Sequence, residues 1–101
     1  MLIVRFMVRC APGKSEAVMA ALQEIVHASR SLDGVLGFDI GRDILDPDSF
    51  MATEVFTDRT ALDRQEALPA VKDALAIFEE SLAAAPEATI FQVSSSEPWG
   101  D

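Results

Sequence analysis

The 101-residue sequence has no asparagine and no tyrosine, and only one cysteine, one tryptophan and one histidine. With Cys10 alone, no disulfide can close within the chain, which suits a reducing compartment, and a cytoplasmic location is the expectation. Lysine and arginine number eight against seventeen acids, for a net charge of −9, and the eight are scattered. A chain without a basic patch does not bind nucleic acid or an anionic membrane surface, because both need clustered cations. No apolar run approaches the ~20 residues of a membrane-spanning helix. The first strand starts at Leu2 without a basic leader or cleavage site, so no signal peptide is expected. Cys10 and His27 are too few to hold a metal, and the acids of "DILDPDS" (Asp43, Asp46, Asp48) lack the glycine and distal glutamate of a calcium loop. There is no glycine-rich phosphate loop and no Ser-His-Asp set.

What is present is a single small domain's worth of periodic pattern. "VRFMVRC" alternates, with Val4, Phe6, Val8 and Cys10 on one face and Arg5, Met7 and Arg9 on the other. A helix is expected over about Lys14 to Ser31, with Val18, Leu22, Ile25 and Ser29 on its inner face, Gly13 as N-cap and Gly34 as the stop. "GVLGFDIGRDI" reads as a second strand, with Leu36, Phe38 and Ile40 sharing a face opposite Gly37, Asp39 and Gly41. Asp46 to Ser49 read as a turn leading into the strand "FMATEVFT". Asp58 can cap a short helix that Pro69 ends, and Pro69 can start the next, with a stripe of Val71, Leu75, Phe78 and Leu82. "ATIFQVS" supplies a fourth strand. The order β-α-β-β-α-β is the ferredoxin-like, split βαβ arrangement of the α+β class. Its crossovers place strand one between strands three and four in a four-stranded antiparallel sheet, with helices on one face. The domain is expected over residues 1–94, with 95–101 as a tail.

The stretch from "APGK" to "AVKDAL" resembles the antibiotic biosynthesis monooxygenase domain. The likeness rests on the "PGK" turn, the "GVLGFDIGRD" strand, the "DPDSF" turn, and Phe56 ending a strand just before "D-x-x-A-L". The resemblance implies a homodimeric α+β barrel, in which two ferredoxin-like sheets pack face to face with helices outside. It also implies oxidation of quinols or aromatic polyketides by O₂ without metal, flavin or haem, so no cofactor is expected. The alternative is a non-catalytic dimeric module that binds a small apolar ligand. Asparagine, tryptophan, tyrosine and arginine serve the polyketide-oxidising relatives, but this chain has no Asn or Tyr and its only Trp is in the tail. Quinol-oxidising relatives show "A-H-x-x-x-P-H"; in "RQEALPA" Gln65 and Ala70 stand where the two histidines would be.

The candidate residues follow. Glu54 is the best available base if it faces a pocket; the adjacency of strands one and three makes pairing with an arginine the expectation. Phe6, Phe38, Phe56 and Phe78 can wall an aromatic-accepting pocket or simply fill the core, and Gln65 can hold a substrate oxygen. Arg5, Arg9 and Asp39 are assigned to the sheet face turned from the helices, packed against a second copy, with the arginines pairing Asp39 within or across subunits. Inverted parity would instead carry Arg5 into the pocket. His27 is expected on a solvated helix face, and Cys10 in the core. Trp99 either anchors on a partner subunit or belongs to a free terminus.

Overall fold

The computed structural model describes residues 1–100; Asp101, the last residue of the expected tail, lies outside them. The chain runs β1 (Leu2–Arg9), α1 (Ser15–Ser29), β2 (Val35–Asp43), β3 (Asp46–Phe56), α2 (Arg59–Glu66), α3 (Pro69–Ser81) and β4 (Glu87–Gln92). The four strands form one sheet in the order β2-β3-β1-β4, and every neighbouring pair is antiparallel. No helix among the described residues is long and apolar enough to cross a membrane.

The pleat of β1 sorts the molecule into two sides. Leu2, Val4, Val8 and Cys10 are buried beneath the helices, with Phe6 half-buried beside them. Arg5 and Arg9 are exposed on the opposite face. The register Leu2↔Phe56, Val4↔Glu54, Phe6↔Ala52 and Val8↔Phe50 carries that sorting into β3, because directly paired residues point the same way. From above, α1 contributes Val18, Leu22 and Ile25 to the core, and α3 contributes Ala74 and Phe78. Arg5 therefore stays out of the helix-side interior.

Local structure departs from the expected pattern at five places, each for a physical reason. A bulge between Val35 and Gly37 throws Leu36 off the Phe38 face and leaves it 61% exposed. The hairpin reverses at Ile44 and Leu45, not at Asp46 to Ser49. Asp43 and Asp46 pair across the turn, and the Leu45 amide donates to the Asp43 carboxylate at 2.8 Å. The inner stripe of α3 is Ala74, Phe78 and Ser81, whereas Leu75 is half exposed. Lys14, with helical backbone angles, stands at the N-cap of α1. Gly13 sits one residue earlier in a left-handed turn at φ +80°, where the Lys14 amide donates to the Ala11 carbonyl. The same helix ends at Ser29, two residues short of the expectation, with the turn Leu32 N–H to Ser29 O closing it.

Gly34 lies beyond that end and reverses the chain into β2. Its φ is +84°, its carbonyl accepts from the Thr57 amide at 2.9 Å, and a Cβ there would meet the Ala61 Cβ at 2.6 Å. Gly13 has the same backbone sign but open space around it. Gly34→Ala therefore adds overpacking to backbone strain and is expected to cost about 3 kcal/mol. Gly13→Ala should cost only about 1 kcal/mol from strain alone. Urea unfolding at one fixed protein concentration measures both.

Candidate functional site

β3 places Glu54 between Val4 of β1 and Phe38 of β2, on the helix side of the sheet. The residue is 8% exposed and takes part in none of the ion pairs among the described residues. The expected pairing with a β1 arginine is excluded by parity: Arg5 and Arg9 project from the other face. Glu54 instead lines a cavity of about 340 Å³ between sheet and helices. Phe38 and Ile40 of β2 form one wall, with Leu22 and Ile25 of α1. Phe6 and Phe78 form another; their rings are 6.3 Å apart at 25° to one another. Val71, Ala74 and Leu75 of α3, and Ala88 of β4, complete it.

Only three polar side chains reach this cavity: Glu54, Gln65 and Glu66. α2 supplies the last two. Asp58 caps that helix by accepting from the Ala61 amide at 2.9 Å, and Ala61, Leu62 and Gln65 are its buried side. The Gln65 amide nitrogen donates to the Ser29 hydroxyl at 3.1 Å, tying α2 to the end of α1 and fixing how the carboxamide is presented. Neither lysine nor arginine lines the cavity. Burial, and secondarily the Glu66 carboxylate, push the Glu54 carboxyl up to about 7. A group with that value holds or releases a proton near neutral pH, as an acid-base residue must.

The cavity thus gathers Glu54, Phe6, Phe38, Gln65 and Phe78 from five separate elements. Phe56 is not among its lining; it is fully buried in the core. Asp39, exposed on β2, pairs within the chain with Arg30 at 3.0 Å and not with Arg5 or Arg9. Arg5 instead reaches the Met51 sulfur at 3.7 Å. Ala70 packs against the core and does not line the cavity, and His27 is exposed on α1. Cys10 is a buried thiol that burial pushes up, away from the reactive thiolate. Glu66 was not singled out in the sequence, and Ser29 only as a residue of the inner face of α1. Glu66 directly follows Gln65, so the "RQE" triplet was the available signal; nothing marked Ser29 as the Gln65 partner.

The family described as antibiotic biosynthesis monooxygenase matches residues 1–90. No curated protein matches the chain. Several solved structures share its fold. One described as an antibiotic biosynthesis monooxygenase has a TM-score of 0.86 at 22% identity, covering 94% of this chain and 100% of that one. PA3566 from Pseudomonas aeruginosa has a TM-score of 0.85 at 24% identity, covering 93% and 94%. Rv0793 from Mycobacterium tuberculosis has a TM-score of 0.87 at 20% identity, covering 96% and 98%. Identities at this level speak for the fold alone.

The raised Glu54 value has a consequence for stability. The folded chain binds this proton more tightly than the unfolded chain, whose glutamate titrates near the ordinary 4.5. Stability contributed by the protonated form is complete below about pH 4.5 and is lost as pH rises to about 7. Glu54→Gln should remove that slope and, above pH 7, stabilise the fold by an amount on the order of 3 kcal/mol. Denaturant melts at pH 5 and pH 8 provide the comparison.

Proposed function

The chain belongs to the antibiotic biosynthesis monooxygenase family, and from that premise we propose that it oxidises a small aromatic or quinol-type compound with O₂ in the Glu54 cavity. The observation that carries the reading is a buried, unpaired carboxyl that titrates near neutrality in a largely apolar, phenylalanine-walled space. Its volume lies within the range of small-molecule pockets.

The chemistry asks one residue to move a proton twice. Glu54 as carboxylate removes a proton from a substrate C–H activated by a neighbouring carbonyl or phenol. The resulting anion gives one electron to O₂, and the substrate radical and superoxide combine to a peroxide. Glu54, now protonated, returns its proton to that peroxide, and loss of water leaves a new carbonyl. The net change is CH₂ plus O₂ to C=O plus water. The Gln65 carboxamide lines the same cavity and can hold a substrate oxygen, and the stacked Phe6 and Phe78 rings accept the aromatic body.

A homodimer in the cytoplasm belongs to the same proposal. The back of the sheet carries half-buried Ile3, Met7, Met51 and Val55, and Phe91 is 48% exposed there. Arg5 and Arg9 lie among them. An apolar sheet face of this kind is an aggregation hazard unless it is covered, and a second copy of the face covers it.

A second reading, a binding module without turnover, draws support from Gln65. One of its two amide N–H donors is already engaged by Ser29, so the cavity offers a single donor to stabilise a developing oxyanion.

Oxygen uptake with a panel of anthrones and hydroquinones separates the two. An enzyme shows uptake above buffer that rises with pH through about 7 and falls by about a hundredfold or more in Glu54→Gln. Saturable ligand binding by calorimetry with no uptake assigns the chain to the binding module. Sedimentation at micromolar concentration should show two subunits; a single stable subunit removes the dimer.

A further inference from the structure

Two cavities of opposite character lie against α1. The inner one holds two acids and no cation. The other is an open groove of about 670 Å³ between α1 and the β2 edge, and it holds two arginines, the single histidine and no acid. In a chain of net charge −9 with only eight lysines and arginines, that concentration is unusual. The floor is apolar: Met19, Leu22, Val26, Ile40 and Phe50. Leu22 and Ile40 also line the inner cavity and form the wall between the two.

The arginines are held in place but not used up. Arg42 lies with its guanidinium carbon 5.0 Å from the centre of the Phe50 ring, and one of its Nη atoms is 3.7 Å from the Met19 sulfur. Its one carboxylate contact, Glu16, is long at 3.4 Å and largely in water. Arg30 donates through Nε to the Phe38 carbonyl at 2.9 Å and through one Nη to the exposed Asp39 at 3.0 Å. A guanidinium has five N–H donors, so both side chains keep donors free. Exposed ion pairs such as these contribute little and are readily exchanged for a better acceptor. Stacking on Phe50 and the bond to the Phe38 carbonyl fix both guanidinium groups beforehand, which lowers the ordering cost of binding.

We infer that the α1–β2 groove is a second ligand site, for a small amphipathic carboxylate. Its apolar body lies on the floor of Met19, Val26, Ile40 and Phe50, and its carboxylate meets Arg42, the guanidinium stacked on that floor, with Arg30 as the second cation lining the groove. The groove selects an anion where the inner cavity, lined by Glu54 and Glu66, repels one. The site does not depend on turnover at Glu54.

The test uses the full chain with naphthylacetate and its neutral counterpart naphthylethanol. Calorimetry should show the carboxylate binding about tenfold more tightly than the alcohol, as one charge-assisted contact in partial solvent allows. NMR should show the carboxylate shifting the Met19 methyl and the His27 ring resonances. The Arg30→Gln/Arg42→Gln double variant should lose the preference while its thermal unfolding stays near that of the parent. Equal affinity for acid and alcohol in the parent chain, or shifts confined to Val71 and Leu75 of the inner cavity, would overturn the inference.

Discussion

The pleat of the central strand, locked by its register with β3, is the constraint on which the rest depends. Leu2↔Phe56 through Arg9↔Ser49 run in step, so one alternation governs both strands. A slip of one residue would exchange every side chain between faces. If β3 slipped, Glu54 would leave the helix side; if β1 slipped, Arg5 and Arg9 would enter a core with no partner for them. Burial of Leu2, Val4 and Val8 against α1 and α3 holds the register. The position of the carboxyl is therefore a by-product of packing elsewhere on the same strands.

The same side of the sheet keeps opposite charges apart. Arg42 stands four residues beyond Phe38 on β2, and Glu54 lies directly across from Phe38. Between them run Ile40 and the Leu22 side chain from α1. With Arg42 stacked on Phe50, no cation reaches Glu54 to lower its proton affinity. A carboxyl kept unpaired among phenylalanines costs stability at neutral pH. Packing gives no reason for it, because an apolar side chain would fill the place more favourably; proton transfer under the proposed reading does give one.

The sequence was most legible where a long periodic run met one packing partner. The two faces of β1, the inner stripe Val18–Leu22–Ile25–Ser29 of α1, the Asp58 cap and the start of α3 at Pro69 all follow from spacing and local chemistry. Legibility failed where tertiary contacts shift the phase. Leu36 belongs to the Phe38 face by counting, but the bulge inserts a residue and breaks the count. Pro47 suggested a turn, yet the pairing of Asp43 with Asp46 closes the hairpin earlier. Leu75 fits a helical stripe, but α3 approaches α1 through small Ala74, which turns Leu75 toward the cavity and solvent.

Glu54 shows the division most clearly. Both faces of "FMATEVF" are of similar polarity, so no periodicity within it could orient the carboxyl; only the pairing of Glu54 with Val4 does so. By itself, the sequence determined the element order, the topology and the apolar sides of β1 and α1, because those depend on repeats within a few residues. Tertiary structure alone decided that Glu54, Gln65, Phe6 and Phe78 share one cavity, that Phe56 does not, and that Arg30 and Arg42 both line one groove. Those neighbours lie tens of residues apart, and strand register and helix docking bring them together.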